Sequence, residues 1–156
     1  IRLHPQHENI DYAYYLRGLT RFLEDQSIVN RFLPTDMSMR DPGAAKDSFD
    51  DFAILLERYP ASQYAPDARK RMIFLRNQLA QYEIHVARYY LRRGAFVAAT
   101  NRGRYVLENF SQSTSIADAL AVMVLGYTQL GLTDLAANSQ TVLQQNYPDY
   151  PGLTLE

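Results

Sequence analysis

Apolar residues recur every three or four positions through most of this chain, and no segment sustains an alternation of apolar and polar positions. Residues 83–91 show the pattern in brief: Ile84, Val86, Ala87, Tyr90 and Leu91 fall at helical spacing. The run from Ile116 to Leu130 is longer, and a further helix is expected over about 10–23. The pattern predicts helices and no sheet. Boundary signals agree. Asp41-Pro42 and Ala65-Pro66 each put proline in a first helical turn, where its missing N–H costs nothing. Ser115 followed by Asp118 reads as a capping box, and Thr133 as the N-cap of a helix ending near Asn146. Phe52, Leu55, Leu56 and Tyr59-Pro60 read as the end of another helix. After Pro66, the stretch to Arg93 holds neither proline nor glycine, so residues 66–93 form one long helix or two with a bend near 77–81. Residues 1–5, closed by Pro5, read as the last turn of a helix that starts earlier, in a longer protein.

A single offset orders these elements. Tyr90 and Tyr127, Gly94 and Gly131, Ala99 and Ala136, and Phe110-Ser111 and Tyr147-Pro148 are all 37 residues apart. Aromatic, turn glycine, small residue and helix stop follow one another as in a tetratricopeptide repeat, a helix hairpin of about 34 residues. The aromatic fills the space between the two helices. The glycine takes the left-handed conformation that ends the first. The alanine lets the backbones approach. The extra residues are expected around Ser113-Thr114-Ser115. The fold class is therefore all-α: one helical-repeat solenoid domain over 1–156, of about three hairpins plus a partial one at the start, with an inserted loop at 24–41 that contains Pro34. Such a solenoid exposes a concave surface suited to binding other proteins.

Charge sharpens the picture. Residues 1–65 carry −3, residues 66–104 carry +7 and residues 105–156 carry −5, within a net charge of −1. A basic segment between acidic ones suits an acidic partner. With Tyr90 in the hairpin packing, Arg88 and Arg92 point toward the groove, while Arg93, Arg102 and Arg104 lie nearer the turn and second helix. Arginines in a groove suit acidic side chains or a peptide carboxylate. Nucleic acid is not expected, because the interleaved tyrosines fall on packing positions and not on open stacking platforms.

Chemistry is hard to find. The absence of cysteine excludes disulfides, thiolate zinc sites and cysteine nucleophiles. His4, His7 and His85 have no third ligand near them in sequence, so no metal site is expected. Asp50 and Asp51 are adjacent, and on a helix their side chains diverge. No phosphate loop, dinucleotide fingerprint, nucleophile elbow or His-Glu-x-x-His motif occurs. The expectation is a non-catalytic binding scaffold without a cofactor.

Several strings are more specific. Asn9-Ile10-Asp11-Tyr12, Tyr15-Leu16-Arg17-Gly18-Leu19, Arg40-Asp41-Pro42, Arg58-Tyr59-Pro60-x-Ser62-x-Tyr64, Lys70-Arg71, Arg93-Gly94-Ala95 and Asn101-Arg102 occur in order. In these strings the chain resembles the BamD (YfiO/ComL) family, outer-membrane lipoproteins of the β-barrel assembly machinery. The resemblance covers nearly all of the chain, through motifs to about residue 112 and repeat landmarks beyond. It implies the C-terminal part of a five-repeat scaffold that sits on the periplasmic face of the outer membrane, held only by a lipid anchor on an N-terminal cysteine outside this chain. It implies as partners the periplasmic domains of BamA, with BamC, BamE and unfolded outer-membrane proteins. It assigns to Arg102 a salt bridge with BamA and places Asn101 and Arg93 beside it, leaving Arg88 and Arg92 as further candidates. Arg104 departs from the pattern, since other members can be acidic there. A Tol-Pal-associated coordinator shares the Tyr-Pro-x-Ser-x-Tyr style of repeat and is the alternative, against which the 24–41 insertion argues.

Overall fold

The computed structural model describes residues 1, 3–25 and 42–153, and among them six α-helices and no strand. These are α1 (Ile10–Asp25), α2 (Gly43–Arg58), α3 (Ala65–Arg92), α4 (Phe96–Asn109), α5 (Ile116–Gln129) and α6 (Thr133–Asn146). They pair as hairpins α1–α2, α3–α4 and α5–α6, so the fold is all-α and of tetratricopeptide type. The stretch after Ala65 forms the single helix α3, 28 residues long, and Arg93 lies in the turn that follows it. The inserted segment lies outside the described residues, apart from Glu24 and Asp25, which end α1. Ahead of α1 the described residues run through turns where a helix end was expected: the His7 N–H donates to the His4 carbonyl at 3.3 Å, and Leu3 is 88% exposed. No helix among the described residues is long and apolar enough to cross a membrane.

The chain divides into two compact units, Ile1–Leu79 and Ala80–Glu156. In the first, α1 and α2 meet where Gly18 faces Phe52. A Cβ at Gly18 would stand 2.8 Å from the Phe52 ring, so only glycine allows this approach. Ser48, fully buried, donates its hydroxyl to the Gly18 carbonyl at 2.8 Å. Asp51 is 2% exposed and lies between two arginines: Arg17 donates from Nε at 2.9 Å and also from Nη2, and Arg21 from Nη1 at 2.7 Å. Asp50 turns the other way, to Lys46 at 2.9 Å on the exposed face. The adjacent carboxylates diverge, as helical geometry requires.

The Tyr59-to-Tyr64 motif also has a structural role. Tyr12, Tyr64 and Tyr15 stack with centroid separations of 5.1 and 4.8 Å. Ser62 donates to Asp11 at 2.6 Å, and Tyr15 to Asp67 at 2.8 Å. The Arg71 guanidinium, 2.6 Å from Asp67, holds that carboxyl below the usual carboxylate range.

In the second unit the repeat is explicit. Two 14-residue helices, the turn at 130–132 and a six-residue connection like that at 110–115 account for the period of 37. The glycine landmarks behave as read: Gly94 and Gly131 have φ of +72° and +70°. Each sits in the same pair of hydrogen bonds. Gly94 and Ala95 N–H donate to the Leu91 and Tyr90 carbonyls at 3.1 and 2.9 Å, and Gly131 and Leu132 N–H to Thr128 and Tyr127 at 3.1 and 2.9 Å. This double closure is the Schellman motif. A Cβ on Gly131 meets nothing within 4 Å, so its substitution tests conformation alone. Gly131→Ala is expected to lower stability by about 1 kcal/mol in urea unfolding, the left-handed penalty for an L-residue; no loss would mean the turn relaxes to another form.

Two caps differ from expectation. Ser115 stands at the N-cap of α5, but its side chain makes no capping bond, and it is buried at 6% exposure. Asp118 faces other partners, described below. Thr133 is the first residue of α6, and Leu132 holds the cap position. The turn is too short for a separate capping residue, because Leu132 N–H is already committed to Tyr127. Close helix approach also falls elsewhere than on alanine alone. Ala99 is fully buried, but a Cβ at Gly103 would stand 2.9 Å from the Ala119 carbonyl, and one at Gly126 would collide with Thr100.

Candidate partner-binding site

The residues singled out by the sequence all belong to the second unit. α3 ends at Arg92, the three residues 93–95 turn, and α4 begins at Phe96 and carries Arg102 in its second turn. There Arg102 Nη1 lies 2.8 Å from Glu83 Oε2 on α3. The two ends of this pair differ in exposure: Glu83 is 12% exposed and Arg102 40%. The hydrogen bond that Arg102 donates to Glu83, and then its contact with Tyr90, raises the Arg102 pKa, so the guanidinium stays charged. Glu83 and Tyr90 are seven residues apart, two turns of α3, and share the face that meets α4. An arginine carries five donors in a planar fork. Glu83 and Tyr90 hold Arg102 against α3, and its side chain is still 40% exposed.

The neighbours are arranged around it. Asn101 is exposed, and its Oδ1 accepts from Arg104 Nη2 at 2.7 Å. Arg104 also approaches Glu108 at 3.9 Å. Arg93 is exposed beyond the end of α3 and lies over the Tyr89 ring, 5.4 Å from its centroid. Arg92 is exposed at the last turn of α3. Arg88 is different. It lies about 200° around the helix from Tyr90, and its Nη2 reaches Asp118 Oδ2 on α5 at 3.3 Å. Tyr90 packs on the buried cluster of Ala87, Leu91, Ala99 and Val122, as expected of the hairpin aromatic. The structure therefore joins Arg102 to the α3–α4 contact and directs Arg88 to α5.

Sequence reading missed Glu83, Asp118 and Tyr150 as partners. One signal pointed to Glu83: with Asp67, it is one of two acidic residues in a segment of nine basic ones. Nothing local marked Tyr150, whose hydroxyl donates to Asp118 across 32 residues.

The family model for YfiO, described as an outer membrane lipoprotein, matches residues 1–143. A curated relative named outer membrane protein assembly factor BamD, from Neisseria meningitidis serogroup A, is 46% identical over 153 residues, covering 98% of this chain and 57% of the relative. The protein of the same name from Xylella fastidiosa is 47% identical over 153 residues, 98% of this chain and 52% of its own length. That from Vibrio cholerae is 39% identical over 145 residues, 93% of this chain and 60% of its own length. The chain thus spans a little over half the length of the relatives it matches.

Proposed function

This chain belongs to the YfiO family of outer membrane lipoproteins, and we propose that it is the partner-docking part of a non-catalytic scaffold for assembling outer-membrane proteins. The relatives' name, outer membrane protein assembly factor, supports this reading. In it, the full-length protein works at the periplasmic face of the outer membrane, held there by its lipid anchor. The partner docked here is the periplasmic region of BamA; BamC, BamE and unfolded outer-membrane proteins are further partners of the whole protein. The observation that carries the reading is the presentation of Arg102. It stands at the Asn-Arg position of the family motif, with a largely shielded carboxylate holding one edge and the side chain itself partly exposed. Such an arginine is ready for an acidic partner at little further cost in side-chain entropy.

The test compares binding of the BamA periplasmic domains by this chain and by Arg102→Glu, using calorimetry. Reversing the charge is expected to weaken binding at least tenfold, while the helical circular-dichroism signal persists. Glu83→Gln, which keeps the guanidinium but loosens its anchor, is expected to weaken it less. Unchanged binding by a folded Arg102→Glu chain would remove Arg102 from the interface.

A further inference from the structure

The second unit contains its own control. Its two hairpins share the period of 37 and the same closing hydrogen bonds at Gly94 and Gly131. What a hairpin of this kind requires recurs at that offset: Tyr90 and Tyr127, Gly94 and Gly131, Ala99 and Ala136. The surroundings of Arg102 do not recur. Thirty-seven residues after Glu83, Tyr89, Arg93 and Arg102 stand Leu120, Gly126, Leu130 and Ser139. The α5–α6 hairpin therefore folds with none of these four side chains, and the repeat itself gives no reason for them.

Tyr89 differs most from its counterpart. Gly126 lies where α5 meets α4, and a Cβ there would stand 2.4 Å from Thr100. The same position on α3 carries a full ring, which is 45% exposed. A helix pressed on α3 at this level, as α4 is on α5, would leave no room for that ring. The ring is nonetheless held. The Arg93 guanidinium lies 5.4 Å from its centroid, and the Tyr90 ring meets it edge-on at 5.8 Å and 62°. Tyr90 in turn contacts the Arg102 guanidinium. A continuous line of side chains thus joins two arginines through two tyrosines. Among the described residues Arg93 has no carboxylate partner. The donors of a guanidinium lie in its plane, so stacking on a ring covers a face and leaves the donors for a carboxylate.

We propose that Tyr89 is the apolar anchor of the partner site whose charged anchor is Arg102. The partner surface it fits carries an apolar side chain flanked by two carboxylates. The apolar side chain packs on the Tyr89 ring, and the carboxylates go to Arg102 and Arg93. The +7 charge of residues 66–104 favours a surface of that sign. A half-exposed tyrosine already held on two sides loses little freedom when it is covered, and tyrosine and arginine are the residues that most often carry interface energy. This inference rests on the docking role given to Arg102.

The probe is the set of BamA periplasmic domains, titrated by calorimetry into the full chain and its variants Tyr89→Ala, Tyr89→Phe and Arg102→Glu. Measurements are made at about 0.05 and 0.3 M sodium chloride, which screen exposed charges to different extents. Tyr89→Ala is expected to weaken binding at least about tenfold at both concentrations, and to keep the salt dependence of the unaltered chain. Tyr89→Phe, which retains the ring, is expected to bind within about twofold of it. Arg102→Glu is expected to weaken binding and to flatten the salt dependence. Weakening by Arg102→Glu with unchanged binding by Tyr89→Ala overturns the Tyr89 anchor and leaves the role of Arg102 standing. Unchanged binding by both variants overturns the two together. A loss in Tyr89→Phe as large as in Tyr89→Ala overturns the apolar role. Loss of helical circular dichroism in Tyr89→Ala overturns it too, because Tyr89 is then part of the core.

Discussion

Phe52→Ala is expected to cost the first unit about 3–5 kcal/mol, the range for truncating a buried phenylalanine. Phe52 is fully buried, and the α1 position facing its ring is Gly18, which has no side chain. Gly18 offers no side chain to fill the space left behind, and the neighbouring Tyr15 is held in its stack with Tyr64 and by its bond to Asp67. Collapse would need α1 and α2 to move together, against the Ser48 bond to the Gly18 carbonyl at 2.8 Å. The loss is a large part of the roughly 5–15 kcal/mol by which domains are stable. Near-ultraviolet circular dichroism during urea unfolding suits the measurement, because the stacked Tyr12, Tyr64 and Tyr15 belong to this unit and report on its packing. A loss below about 1 kcal/mol would show that the contact with Gly18 is not where the hairpin is held.

Asp51→Ala is expected to lower the stability of the same unit by about 3 kcal/mol, the lower end of the range for breaking a buried ion pair. The lower end applies because Arg17 and Arg21 are 40% and 34% exposed and regain water when Asp51 is removed, whereas Asp51 itself is 2% exposed. Two cations would then stand four residues apart on one face of α1, with the exposed Asp47, 3.8 Å from Arg21, as a weak remaining counter-charge. Salt screens that repulsion, so 1 M sodium chloride is expected to restore part of the loss in the variant and to change the unaltered chain little. Replacing all three residues with apolar ones, Arg17→Met, Arg21→Leu and Asp51→Leu, is expected to cost less than the single change. What destabilises is the unmatched charge, not the loss of attraction. A triple variant less stable than Asp51→Ala would show that the ion cluster contributes net stability.

The two substitutions contrast how the unit was readable. Phe52 was legible as a core position from its spacing to Leu55 and Leu56 alone. Asp51 was not. Beside Asp50 it read as one of a diverging pair, which is correct, but no local rule says which of the two turns inward. That depends on α1 placing Arg17 and Arg21 opposite, 34 and 30 residues away. The same division runs through the second unit. Gly94 and Gly131 were identified because a left-handed turn residue is a local requirement met by one amino acid. Ser115 stands at the N-cap but closes no capping box, because Asp118 has other partners, and Thr133 lies one residue inside the helix it was expected to cap.

Sequence alone determined the helical class, the 37-residue repeat, its glycine turns and the family motifs, including the position of Arg102. These depend on spacing along one helix or on a backbone conformation within a few residues, and both are written locally. Tertiary structure alone decided which charge meets which: Glu83 with Arg102 across 19 residues, Asp118 with Arg88 across 30, and Tyr150 with Asp118 across 32. The reason is rotational. Each residue along a helix turns the side chain by about 100°, so a partner on another helix is chosen by how the two helices are rolled where they cross. Packing of glycines, alanines and aromatics at the crossing sets that roll, and no spacing within one helix records it.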